Sequence, residues 1–584
     1  MPLVVSDIPR AWRCRIVPHI RRFLHLSPSP GAWLQGTLTT APMAASLLLI
    51  TVFADTHPGA MALFGSLISL WNTNQSLRSR LRRYAAVAPI FPASMALGVW
   101  VGPIPWLAIS TEALVIFLMA VGYHVFFVGP GPGPIHLFYA CAVGTYLGGS
   151  TDIGWPIVAV TAVSTALTAV LSLSDLLVRG HHAERKAVAA ARAAVHAFLH
   201  AAAEEGESRA HHEQRIRRLR TAATAAVDHA ASVLGSARSP RARPGPVRHQ
   251  LGQELHRLDG LLGAGALTRD CPGATAQVGS APHPGPLGQP SARYLLRRTF
   301  GRDPVRLPVL VGLRCACAGL AAGTLALVLH VGHAYWAVLS ATIVLHGGLD
   351  RNSTVLRAAH RLAGTVAGVL VVSAVEPLQP PAAVHISIII VSVWGMNLFL
   401  PRNYALAASF ITVMTLQANI AITSVDATPH LVGQRLLATL IGVAAALVVL
   451  VCTGRRMPRR TTQRLLIRTL RATTEVLDHA AAGTSFTEDG WKARRDLRFE
   501  LLACADLLPR LGADDRNLGQ CQDLVDGVQQ QAHAALAAGW HAEPDQLDTA
   551  TRSEEIRSLL DRLPGQRTSA HTPTRGRRIR GNVR

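Results

Sequence analysis

Apolar residues in this chain gather into two long blocks, roughly residues 36–178 and 306–453. Short polar breaks cut each block into stretches of about bilayer-crossing length. In the first block the stretches run over 36–54, 59–71, 86–101, 106–127, 135–148 and 156–177. In the second they run over 308–329, 335–349, 358–375, 383–400, 404–423 and 433–452. The second and fifth stretches of the first block are short for a full crossing, which predicts tilted, broken or differently paired segments. Gly129 to Pro134 alternates Gly and Pro, so it sets a hard stop between two spans.

Outside the blocks the pattern turns polar. Residues 1–35 carry arginines and no clean apolar core with a cleavage site, so they read as a cytoplasmic tail with a surface-lying amphipathic helix. Residues 179–305 begin Ala-rich, with apolar positions at helical spacing up to about Leu234, which predicts a helical hairpin. Their second half, including Ser239 to Pro246, is rich in Pro, Gly, Ser and Arg and reads as a disordered linker. Residues 454–584 return to a polar helical pattern and end in an Arg-rich tail.

Charge then fixes an orientation. Threading the first block from a cytoplasmic start puts outer loops at 55–58, 102–105 and 149–155; the second block puts them at 330–333, 376–381 and 424–432. None of these contains Arg or Lys, and they hold Asp55, Asp152, Glu376 and Asp426 instead. The opposite loops and the polar regions hold nearly all the basic residues, as the positive-inside rule requires. A net charge of +22 would suggest nucleic-acid binding in a soluble chain. Here mean hydropathy is +0.27, and the charge sits where cytoplasmic loops face anionic lipid, so no nucleic-acid partner is expected. The eight cysteines fall in expected spans or cytoplasmic parts, so no external disulfide is expected. Cys315 and Cys317 read as small packing residues.

The two blocks look like copies. His57 precedes a short span in the first as His333 does in the second, and an Arg cluster follows in each, at 78–82 and 357–361. An even number of spans gives both copies one orientation, hence parallel repeats about an axis along the membrane normal. The fold expected is an all-α polytopic membrane protein. Its regions are a tail (1–35), a first membrane block (36–178), a helical region with linker (179–305), a second block (306–453) and a helical region with basic tail (454–584).

Several residues stand out chemically. Arg357 and Arg361 share one helix face at the expected cytoplasmic start of a span, the positive end of the helix dipole. Lipid phosphate, Asp350 or an anionic substrate could answer them, or they could simply anchor the span. Gly364 and Gly368 form a small-residue step for close helix packing, as do Gly319/Gly323 and Gly144/Gly148. Glu112 lies about two turns inside a span and is a candidate for proton coupling. Arg435 is placed to meet an anion in the outer half. Asn403, Tyr404, Thr412, Gln417 and Asn419 put polar groups along one span, either lining a path or bonding helices. His196, His200 and Glu204 have metal-like spacing, but a solvated helix face is the simpler reading. No nucleotide-binding loop, nucleophile elbow or metalloprotease motif is present, so no cofactor, metal or catalytic residue is expected.

Tyr335-Trp336 to Leu339, the Arg357, Arg361, Gly364, Thr365 and Gly368 segment, Asn403-Tyr404 with Thr412, and Arg435 with Thr439 and Gly442 together resemble the FUSC family of fusaric acid resistance and aromatic acid exporter proteins. The first block departs from that pattern: Ala85 and Ala86 stand where Gly364 and Thr365 would align. The resemblance implies efflux of organic, often aromatic, carboxylates, with Arg357, Arg361, Arg435, Trp336, Asn403, Tyr404 and Thr412 as substrate-contact residues. Plant aluminium-activated malate transporters look like distant relatives, which keeps a passive anion channel open. A membrane scaffold with partner-binding helices is a third reading. The expected partners are an organic anion, anionic lipid at the cytoplasmic face and, as an open alternative, further copies of the chain. The expected place is a bacterial inner membrane, with both termini cytoplasmic.

Overall fold

The computed structural model describes residues 21–29, 31–71, 75–126, 133–148, 154–204, 209–235, 246–270, 290–301, 306–347, 351–421, 428–453, 456–512, 522–538, 554–556 and 558–559. Asp152, Asp350, Asp426, most of the 129–134 run and both chain ends lie outside these residues. Among the described residues every regular element is a helix.

The chain divides into two compact units. One comprises Met1–Ala189, His229–Leu251 and Ser291–Pro458. Its first block holds α1 (Ala32–Ala54), α2 (Thr56–Met61), α3 (Leu63–Ser66), a 3-10 turn (Leu67–Trp71), α4 (Leu77–Val87), α5 (Ile90–Val101), α6 (Pro105–Phe126), α7 (Ile135–Leu147) and α8 (Gly154–Arg179). Two polar helices, α9 (His182–Ala203) and α10 (Arg209–Gly235), come next, then α11 (Pro246–Asp270) and α12 (Ala292–Phe300). The second block holds α13 (Leu307–Val328), α14 (Ala334–Leu345), α15 (Arg351–Val375), a 3-10 turn (Glu376–Leu378), α16 (Ala382–Phe399), α17 (Tyr404–Ile420) and α18 (Thr428–Cys452).

Among the described residues eight helices are long and apolar enough to cross a membrane, and α7, α14 and α17 are shorter apolar helices. The chain is a multi-pass membrane protein. Leu, Val and Phe side chains such as Val52, Phe53, Leu118, Leu370 and Val451 point outward on the long helices, as lipid contact requires. Trp33, Trp100, Trp106 and Trp155 are exposed at helix ends, where aromatic rings favour the membrane interface. The second stretch of the first block is broken into α2, α3 and a 3-10 turn, and the fifth is the thirteen-residue α7. At 1.5 Å per residue α7 spans about 20 Å, well short of the hydrocarbon core. Helix α14 is apolar all round and almost wholly buried, as is α7, so both lie inside the bundle instead of facing lipid.

Similar pairs form in the two blocks. The third helix packs on the fifth, α5 on α7 and α15 on α17. The second packs on the sixth, α3 on α8 and α14 on α18. The fourth helix of each block packs on the first of the other, α6 on α13 and α16 on α1. Glycines make the closest approaches. A Cβ at Gly98 would lie 2.2 Å from the Cys141 carbonyl oxygen, and one at Gly144 would lie 2.5 Å from that of Met95. The Gly98/Gly102 step thus meets the Gly144/Gly148 step directly.

The other unit comprises Ala190–Asp228, Gly252–Pro290 and Arg459–Arg584. Here α19 (Arg456–Ala481), α20 (Glu488–Gly512) and α21 (Gln522–Ala538) enclose Leu465, Leu470, Leu477, Leu497, Leu501, Val528 and Ala532. The linker expected after Leu234 is corrected in part: Pro246–Asp270 is helical, and it buries Leu255, Leu258 and Leu262. Those leucines fall at three- and four-residue steps, a helical stripe masked by the flanking Pro and Gly. A buried charge cluster joins this unit. Arg498 donates to Asp259 at 2.5 Å, and Arg468 to Glu500 at 3.0 Å. Burial pushes the Asp228 carboxyl up to about 6. Burial, with Arg220 and Arg498 nearby, holds His533 well below the ordinary histidine value. His196 is exposed, and Glu204 pairs with His200 and Arg215, as a solvated face would.

Candidate functional site

Close helix contacts draw the intramembrane arginines together. Gly364 and Gly368 of α15 leave room for α17: added Cβ atoms would meet the Ala405 oxygen at 2.4 Å and the Ser409 oxygen at 2.6 Å. Gly442 of α18 does the same against α14, with the Ala337 oxygen at 2.3 Å. Arg361 lies one turn before Gly364, and Arg435 two turns before Gly442. Both guanidiniums are buried, 1% and 2% exposed, and each lies within electrostatic range of the other.

The sequence reading puts Arg361 at the cytoplasmic start of a span; in the structure its side chain is buried. It stands ten residues beyond Arg351, about 15 Å along α15, and is enclosed by protein. Arg357, one turn earlier, is half-buried, with its Cζ 6.0 Å from the Tyr404 ring centroid. Arg435 lies over Trp336, with Cζ 4.8 Å from the ring centroid. Trp336 in turn stacks on His333 at 4.2 Å, and His333 on Tyr146 at 4.3 Å. Two helix blocks therefore contribute to one column of planar groups, with His333 Nδ1 held by Gln434 Oε1. Tyr139, Tyr335 and Tyr404 complete the surroundings of Arg435.

Polar groups facing this cluster outnumber their partners. Arg361 Nε and Nη1, Arg435 Nε, Trp336 Nε1 and Tyr404 OH are buried without a hydrogen-bond partner among the described residues. Ser340 Oγ, one turn after Trp336, and Thr365 Oγ1, one turn after Arg361, are in the same state. No carboxylate pairs with Arg361 or Arg435 among the described residues. Two desolvated cations in one apolar bundle are costly, and an anion between them would offset both the charge and the missing acceptors.

Two residues expected at the substrate are occupied in structure. Asn403 caps α17, its Oδ1 accepting from Ala405 N at 2.9 Å and from Leu406 N at 3.4 Å. Its Nδ2 donates to the carbonyls of Phe23 and His25, and His360 Nε2 also lies 3.1 Å from the Phe23 oxygen. The stretch around Phe23 is thereby strapped to α15 and α17. Thr412 donates within its own helix, to the Ala408 oxygen at 2.9 Å, and packs against Gly368. Glu112 stands apart from the arginines. Its Oε1 accepts from Thr145 Oγ1 at 2.5 Å, and its Oε2 is buried without a partner among the described residues.

Glu376, in a loop that the sequence reading threads to the outer side, is buried, 4% exposed and bonded to Gln417. Tyr139 and Ser340 escape the sequence reading, since hydroxyl-bearing residues are common in membrane helices, while Tyr335 and Thr365 enter it only through the family resemblance. Ser340 and Thr365 share a one-turn offset from Trp336 and Arg361.

Comparison with known proteins follows the second block. Residues 320–449 match the family model described as fusaric acid resistance protein-like, in agreement with the residues that carried the resemblance. The chain is 25% identical over 301 residues to the uncharacterized membrane protein YvaC of Bacillus subtilis, covering 49% of this chain and 46% of that protein. It is 36% identical over 137 residues to the uncharacterized protein slr1298 of Synechocystis sp., covering 23% of this chain and 18% of that protein. The chain thus spans less than half the length of these curated relatives. No solved structure matches.

Proposed function

We propose that the chain exports organic anions, aromatic carboxylates among them, across a bacterial inner membrane, driven by a proton or membrane-potential gradient. The family match over 320–449 suggests a membrane transporter. The observation that carries the anion reading is the buried pair Arg361 and Arg435, with unanswered N–H groups and no acidic partner among the described residues. A carboxylate would take those donors, and Trp336 with the surrounding tyrosines offers faces for an aromatic ring. Arg357 gathers the anion on the cytoplasmic side, and Glu112 exchanges a proton during the cycle. The shared helix pairings support two parallel repeats with the path between them. Arginine-free outer loops support cytoplasmic termini.

The test is uptake of radiolabelled benzoate into inside-out proteoliposomes, with and without an imposed pH gradient. Accumulation above equilibrium that collapses with an uncoupler, and that is lost in Arg361→Ala, is the expected result. Equilibration alone, with a voltage-set current, identifies a channel. Normal flux in a well-inserted Arg361→Ala protein removes Arg361 from the site.

A further inference from the structure

Glu376, Gln417 and His385 form a closed triangle that the anion reading does not use. Glu376 opens the 3-10 turn ending α15. Its Oε1 accepts from Gln417 Nε2 at 2.7 Å and lies 3.9 Å from His385 Nδ1. Gln417 Oε1 lies 2.5 Å from the same His385 nitrogen. Because Gln417 gives its amide N–H to the carboxylate, its carbonyl must accept, so His385 bears a proton on Nδ1. Gln417 is fully enclosed, His385 is 9% exposed, and Glu376 Oε2 is buried without a hydrogen-bond partner among the described residues.

Charge counting shows what the triangle lacks. With Glu376 ionised and His385 neutral it carries one negative charge away from water, which is costly without compensation. One added proton, on Glu376 Oε2 or His385 Nε2, brings the net charge to zero. Helix α18, packed on α15 and α17, carries Arg435 and the exposed His430, and neither pairs with the triangle among the described residues. Between Arg361 and Glu376, α15 has no ionisable side chain, and α17 has only Tyr404, at its opposite end. Helix α1, packed on α16, has none, and α2, also packed on α16, brings the exposed His57.

We propose that Glu376, His385 and Gln417 form a proton-binding site that loads one proton per chain from the side that the loop charges place outside. The site suits coupling by its position. Glu376 ends the helix that carries Arg361, and Gln417 belongs to the helix packed against Gly364 and Gly368. A change of charge in the triangle therefore acts on the two helices that frame the arginine cluster. The proton site does not depend on the anion reading, and its test uses no substrate.

Infrared difference spectra of the purified full chain in liposomes, taken across an acid-to-alkaline step, read a protonated carboxyl by its C=O stretch and its shift in D2O. The wild-type protein shows such a band. Glu376→Gln removes it, Glu112→Gln leaves it, and His385→Asn moves its pH midpoint. Glu376→Asp, which keeps a carboxyl and asks less of the fold, retains a shifted band. An acid-minus-alkaline spectrum that Glu376→Gln leaves unchanged, so that Glu112→Gln and Asp228→Asn account for every carboxyl band, overturns the proposal. An unmoved midpoint in His385→Asn overturns the pairing with the imidazole.

Discussion

The guanidinium of Arg435 rests on the indole of Trp336, with Cζ 4.8 Å from the ring, and both side chains are almost fully buried. The indole face answers part of a charge that no carboxylate meets among the described residues. A desolvated contact of this kind contributes about 2 kcal/mol. The same geometry leaves the Arg435 Nε buried without a hydrogen-bond partner among the described residues.

Trp336→Leu is therefore expected to weaken benzoate transport roughly 10-fold or more in apparent affinity, since about 1.4 kcal/mol is a factor of ten. Arg435→Lys keeps the charge but loses the planar stack and the forked donors, so it should fall between wild type and Arg435→Ala. Concentration-dependent uptake into proteoliposomes ranks the three variants. Equal affinity in Trp336→Leu and wild type would break the link between stacking and binding.

Arg361→Met should separate stability from transport. Replacing a buried, unpaired cation by an apolar side chain of similar length is expected to stabilise the fold by about 1–4 kcal/mol while abolishing uptake. Thermal unfolding of the purified protein in detergent measures the first effect. A lower unfolding temperature would mean that Arg361 holds the bundle together through a partner not yet identified.

Asn403→Ala tests a capping role against a substrate role. Loss of the α17 cap and of the bonds to Phe23 and His25 should cost about 1 kcal/mol. Amide hydrogen exchange at residues 21–29 should rise, while benzoate affinity changes less than in Arg361→Ala. A selective loss of affinity without faster exchange would return Asn403 to the binding site.

The polar helical unit should lose stability on acidification through His533. Its folded-state proton affinity is lowered by burial and by Arg220 and Arg498, so the unfolded chain binds the extra proton first. The stability it contributes is present above the ordinary histidine value near 6.5 and declines below it, by up to about 1.4 kcal/mol per pH unit. Asp228, held up to about 6 by burial, acts in the opposite sense. It favours the folded unit at low pH and loses that contribution as pH rises from the ordinary carboxylate range towards 6. His533→Leu should thus flatten or reverse the slope between pH 7 and 5, read by hydrogen exchange in α21. An unchanged slope would assign the pH response elsewhere.

The residues of the candidate site are unevenly legible in the sequence. Arg361 and Arg435 were visible because a guanidinium inside an apolar run is rare and costly. Trp336 is legible only through the resemblance of its surroundings to the FUSC family. The burial of Glu376 is not legible, because Gln417, 41 residues away in sequence, closes over it. Asn403 looked like a path-lining group because a polar residue before a span has the same appearance as a cap. The helix at Pro246–Asp270 was hidden by the Pro- and Gly-rich composition on either side, although its leucine spacing was present.

By itself the sequence determined the two apolar blocks, the uneven spread of basic residues among their loops and the kinds of charge inside them. These follow from transfer free energy, which acts on each segment separately and is written in local composition. Tertiary structure decided that α7 and α14 lie inside the bundle, that Arg361 and Arg435 come within electrostatic range of each other, and that Glu376 meets His385 through Gln417. Those relationships depend on which helix faces touch. Glycine contacts set them at Gly144, Gly364, Gly368 and Gly442, between segments whose spacing along the chain carries no record of the pairing.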